Sequence, residues 1–197
     1  LGEQFHGNRY RIAAAYNAPI GGALFALEVV LGNFALESFG AIVVASAMGT
    51  IVSRGLLGNY RAYNPPQLEM LVSGWELGHY ILMGVFVGLA SAFFILAMRA
   101  GEKGFDRIPL PLWAKPALGF GLVGVIGVGF PHVFGNGYDT VNLVLREGIP
   151  LELILVLPFL KVLATALTLG SGGTGGLFTP TLFVGSVLGS AYGSWCH

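Results

Sequence analysis

The sequence predicts an all-α, multi-pass membrane protein, and three observations carry that expectation. Charged residues make up 10% of the 197-residue chain and hydrophobic ones 54%, whereas a soluble domain carries roughly 25% charge. The mean hydropathy is +0.74. The apolar residues fall in runs of helix length, some long enough to cross a bilayer and some too short. Interrupted segments mixed with full ones point to a transporter or channel, where broken helices line a polar site.

Residues 19–31 are apolar but too short to span alone, since a span needs about 20 residues. The run from residue 38 to 51 or 57 is long enough. Residues 77–98 form a span without an internal charge. Residues 114–130 are marginal, with Pro116 near their start, where proline is tolerated. Residues 151–169 are apolar but carry Glu152, Pro158 and Lys161. Residues 177–195 form the last run. Pro65 and Pro66 stop any helix, so a linker is expected at about 61–75, dividing 1–60 from 76–197. The intervals 99–115 and 131–152 read as loops. The first holds Arg99, Lys103, Arg107 and Lys115, so the positive-inside rule places it in the cytoplasm. Tyr16, Trp75, Trp113 and Trp195 lie near segment ends, as an interfacial aromatic belt requires.

Composition also excludes classes. Ten Lys and Arg balance ten Asp and Glu, which argues against a nucleic-acid surface. The single cysteine, Cys196, rules out an internal disulfide and a cysteine zinc cluster. The four histidines lack ligand spacing, so neither a metal site nor a cofactor is expected. No nucleophile and base are placed together, so no enzyme activity is expected.

Two motifs bear on function. In "GSGGTGGLFTPTLFVG", Gly170, Gly172, Gly173, Gly175 and Gly176 oppose a helix, and a helix start is expected at Leu177. Such an approach leaves backbone N–H groups free for an anion. The candidate donors are those of Gly176, Leu177 and Phe178, with the Ser171 and Thr174 hydroxyls as additions. The stretch lacks the GK[ST] ending of a P-loop. With no Lys or Arg between Lys161 and the chain end, an anion would be held by dipoles rather than a full charge, weakly enough to leave. The competing reading is that the glycines only pack helices, as Gly185, Gly189 and Gly193 do by their spacing. In "AAAYNAPIGGALFALEVV", Asn17 and Pro19 precede a short apolar helix ending in Glu28. An acid among apolar neighbours is costly in a membrane and usually functional, though it could also reach interfacial water. Lys161 could face water or pair with Glu152.

Together the two motifs resemble the CLC family of chloride channels and proton/chloride exchangers. "NAPIGGALFALEVV" is similar to that family's Asn-Ala-Pro segment, and "GSGGTGGLFTPTLFVGSVLGSAYG" to its Gly-Ser-Gly…Gly-Gly-x-Phe-x-Pro signature. The resemblance runs from roughly Ile12 to Gly193. It implies tilted, broken helices in inverted-topology halves, here partial. It also implies a homodimer with one pore per subunit, joined through residues 19–57. It places the transported chloride on the N–H groups of Leu177 and Phe178. Family exchangers commonly carry a second acid where this chain has Val29, directly after Glu28. Valine carries no proton, so the expectation leans to passive conduction, with a proton-coupled antiporter as the alternative. The family's Gly-Ser-Gly-x-Pro and Gly-x-Glu-Gly-Pro segments and its late tyrosine are absent from the 197 residues. The chain is therefore expected to be the middle part of such a domain and not to conduct alone. The expected setting is a lipid bilayer, specifically the plasma (inner) membrane. A membrane packing or assembly protein without transport is the reading from another class.

Overall fold

The computed structural model describes residues 16–25, 27, 36–59, 63, 74–146 and 150–196. Among the described residues the regular elements are all helical: α1 (Pro19–Phe25), α2 (Leu36–Leu57), α3 (Trp75–Asp106), α4 (Ala114–Gly129), a 3-10 turn (Pro131–Val133), α5 (Tyr138–Arg146), α6 (Leu151–Gly170) and α7 (Phe178–Cys196). They fall into two compact units, Leu1–Asn64 and Pro65–His197.

In the first unit Pro19 opens α1, where its missing N–H costs nothing. Gly22 and Ala23 are buried and small, and α1 packs on α2 around Ala23, Leu27 and Ile42. Asn17 holds the entry. Its φ is +55°, a left-handed value that Asn tolerates better than most residues. Its side chain donates to Asn59 Oδ1 at 2.8 Å and accepts from Arg54 Nε. The C-terminal end of α2 is thereby tied to the start of α1. Tyr16 and Tyr63 stack with ring centroids 6.0 Å apart. Burial first, then the neighbouring Tyr16, pushes the Tyr63 phenol up to about 12. The outer face of α2 carries exposed Val44, Met48, Ile51 and Leu56. Glu28 and Val29 lie outside the described residues.

In the second unit α6 is the centre, packed on α3, α4, α7 and the 3-10 turn. Leu157 on α6 and Phe183 and Val187 on α7 have no exposure. His79 and Tyr192 join α3 to α7: the tyrosine hydroxyl donates to the His79 carbonyl at 3.1 Å and sits 3.2 Å from Nδ1. Trp75, Trp113 and Trp195 are exposed at or beside helix ends.

Three boundaries differ from the sequence reading. α3 continues to Asp106 through charges expected to lie in a loop. Arg99, Glu102 and Lys103 are good helix formers, and leaving a membrane does not require leaving a helix. The interval 131–152, also expected as a loop, contains α5 and the 3-10 turn. α5 buries Thr140, Val141 and Val144 and exposes Arg146, an amphipathic stripe too short and polar to stand out as an apolar run. α6 includes Gly170, which was expected to oppose a helix.

Among the described residues, three helices are long and apolar enough to cross a membrane: Phe39–Leu57, Trp75–Asp106 and Glu152–Gly170. α7 has nearly the same length, but its Ser, Thr and Gly residues dilute its apolarity. The glycines that admit close approach are not those of the four-residue stripe. A Cβ on Gly185 or Gly193 would meet nothing, and on Gly189 only Met83 at 3.4 Å. A Cβ on Gly101 would lie 2.6 Å from the Ala166 carbonyl oxygen, and one on Gly170 2.5 Å from the Gly101 carbonyl carbon. The α3–α6 crossing therefore depends on this glycine pair. Spacing alone cannot reveal it, because the two residues lie on different helices.

Candidate functional site

The glycine-rich stretch divides into two parts with different work. The first part closes α6. Gly172 has φ +80°, a conformation open to glycine at little cost. Its N–H donates to Leu169 O at 2.9 Å, and Gly173 N–H to Thr168 O at 3.0 Å. These are the paired bonds of a Schellman cap, which satisfies carbonyls that a helix end otherwise leaves bare. Ser171 is buried and its hydroxyl donates to Thr168 O at 2.9 Å. That hydroxyl, expected as an anion donor, is committed to the cap.

The second part leads into α7. Thr181 N–H donates to Leu177 O at 3.1 Å, so Leu177 is the residue from which the helix starts. Pro180 lies in the first turn. The N–H groups of Gly176 and Leu177 donate to no backbone carbonyl among the described residues. Here helix geometry provides uncommitted donors and the positive end of the dipole.

A cavity of about 450 Å³ lies beside this junction. Thr174, Gly175 and Gly176 form one part of its wall, Thr165 and Thr168 of α6 another, and Asn136 a third. Gly176 is on the wall. Leu177 and Phe178 follow it directly but do not line the cavity. The Thr165 and Thr168 hydroxyls donate to the carbonyls of Lys161 and Ala164, one turn earlier on α6.

Lys161 also lines the cavity and is the one charged side chain among the described residues that do so. It is 4% exposed. Its Nζ donates to Val133 O and Gly135 O, each at 2.7 Å, and lies 5.2 Å from the centre of the Phe183 ring. The expected pairing with Glu152 does not form. Nine residues at 100° per residue place the two on opposite faces of α6, and Glu152 is exposed. Gly137, at φ +73°, completes the turn over Phe183: a Cβ there would lie 2.5 Å from Cδ2 of that ring.

The sequence reading missed Lys161 and Asn136 as parts of the site. A lysine inside an apolar helix was the available signal. Its partners are backbone carbonyls more than 25 residues away, which no side-chain pattern encodes. Of the other candidates, Thr174 is brought to the cavity, whereas Glu28 and Val29 lie outside the described residues. No group of three or more metal-ligating side chains occurs among the described residues.

Comparison with known proteins places these features in context. The model of the family described as voltage gated chloride channel matches residues 12–197. A protein of Ralstonia nicotianae, named as a ClcB-like chloride channel protein, is 37% identical over 186 residues, covering 94% of this chain and 43% of the relative. The voltage-gated ClC-type chloride channel ClcB of Escherichia coli is 37% identical over 184 residues, 92% of this chain and 44% of its own. ClcB of Shigella boydii is also 37% identical over 184 residues. The chain thus spans less than half the length of the curated relatives it matches.

Proposed function

The chain belongs to the voltage gated chloride channel family, and from that premise we propose that it forms part of a protein that carries chloride across a membrane. The anion is met at the head of α7 by the N–H groups of Gly176, Leu177 and Phe178. The observation that carries this reading is a cavity beside that helix start whose described wall contains a cation and no carboxylate. Backbone donors on a helix N-terminus hold an anion without a tight ion pair, which suits an ion that must also leave. The mechanism is electrostatic selection rather than catalysis, with chloride as the transported ion and no cofactor.

Passive conduction is favoured over proton-coupled exchange because Val29, the residue after Glu28, cannot hold a proton. The plasma membrane is the proposed location. The exposed apolar residues of α2, Val44 and Ile51 among them, support a homodimer formed through residues 19–57. The remaining length of such a protein is needed to complete the pore.

Phe178→Pro in the full-length protein tests the donor assignment. Phe178 opens α7, where proline is tolerated, so the substitution removes one N–H and keeps the helix. A hydrogen bond to a charged group contributes about 1.5–3 kcal/mol, so chloride affinity should fall roughly tenfold or more. Phe178→Ala, which keeps the N–H, should change it much less. Equal behaviour of the two variants would contradict the backbone-donor mechanism. Chloride-driven proton movement by the wild type would replace the channel reading with exchange.

A further inference from the structure

We infer that the buried ammonium of Lys161 is the fixed positive charge that draws a small inorganic anion into the cavity beneath the glycine-rich turn. The inference rests on the anion-transport reading above and adds to it a residue that the backbone-donor mechanism does not use.

A neutral amine has two N–H groups and a lone pair; an ammonium has three N–H groups and no acceptor. Two carbonyls accept from Nζ at 2.7 Å, short bonds of the kind that a charged donor makes. The Phe183 ring near the same nitrogen offers its negative face, which attracts a cation and would repel a lone pair. All three neighbours favour the charged form. A lone lysine in an apolar helix is otherwise expensive to bury, so its surroundings are built for the charge.

Carbonyl dipoles and a ring stabilise an ammonium without cancelling its unit charge, and Lys161 makes no ion pair among the described residues. Its field therefore extends into the cavity, where low-dielectric walls weaken it little. The same cavity is walled by Gly175 and Gly176 and opens beside the start of α7, whose dipole has the same sign. The two positive sources reinforce one another. Because the ammonium is held by carbonyls of the 131–135 segment, it is fixed in place. It acts on an anion as a fixed attractor rather than as a flexible ligand that closes over it.

A purely structural lysine, serving only to fasten the 131–135 segment to α6, is the competing account. It can be separated by changing the charge without touching the lysine. Asn136 is exposed, lines the cavity and follows Gly135, so Asn136→Asp is isosteric, solvent-facing and brings a negative charge to the wall. The experiment measures chloride flux against chloride concentration in liposomes for the full-length protein, together with thermal melting. We expect Asn136→Asp and Lys161→Met to raise the half-saturating chloride concentration at least fivefold. Lys161→Arg, which keeps the charge, should stay within twofold of wild type. If Lys161→Met does not fold, Asn136→Asp alone decides. A folded Asn136→Asp with half-saturation within twofold of a transporting wild type would overturn the role of Lys161. A full-length wild type that moves no anion at all would overturn the transport reading, and this inference with it.

Discussion

Helices α3 and α6 pack against each other, and both are long and apolar enough to cross a membrane, yet they meet different surroundings. Only 6% of the apolar window of α3 is buried, against 44% of that of α6. The difference is written in where polar groups sit. The central turns of α3, from Ile81 to Met98, carry no charge and bury only Phe94. α6 carries Pro158, Lys161, Thr165 and Thr168, and turns the last three to the cavity. For a helix in lipid, apolarity says only that it is in the membrane. A tolerated polar residue shows which face looks inward, because only protein groups can satisfy it there.

The comparison can be broken from either side. The largest effect is expected on the buried helix: Leu157→Ala removes a side chain with no exposure and should cost about 2–5 kcal/mol, read as thermal stability in detergent. Leu89→Ala on α3, where the residue is 67% exposed, should leave stability almost unchanged. Of similar size is a charge on the wrong helix. Val85→Lys on the exposed face of α3 lacks the carbonyls that hold Lys161 and should cost about 2.5–3.5 kcal/mol of insertion, seen as reduced membrane-integrated protein. A smaller loss, about 1–3 kcal/mol, follows from Gly101→Ala, because the added Cβ must push against the Ala166 carbonyl at the α3–α6 crossing.

The smallest effect lies outside the spans. Tyr63 is pushed up to about 12 by burial and by Tyr16. Its contribution to stability is therefore whole below the unfolded value of about 10 and is lost as pH rises through the folded one. Ultraviolet titration should find one tyrosine ionising about two pH units late, and Tyr63→Phe should remove that component.

The same contrast explains what was legible in the sequence. Long apolar runs located α2, α3, α4 and α6 to within a few residues, except where α3 carries its helix out into charged residues. α5 escaped because its signal is a short stripe rather than a run. At the site, the order of residues 170–178 pointed to a helix start preceded by uncommitted N–H groups. It could not divide the glycines between capping α6 and leading into α7, since that division depends on the φ of Gly172 and on which carbonyls are within reach. Lys161 was visible, but its role was not. The carbonyls that receive it come from a segment brought back by tertiary packing, and its expected partner Glu152 sits half a helix circumference away.

The most direct test of the cavity as an anion site is bromide soaking of crystals of the full-length protein, with anomalous diffraction to locate the ion. The account predicts a bromide peak beside the glycine-rich turn, within hydrogen-bonding distance of backbone N–H groups among Gly176, Leu177 and Phe178. It also predicts that the peak weakens in Phe178→Pro. A bromide-saturated crystal with ions elsewhere and none at the head of α7 would contradict it.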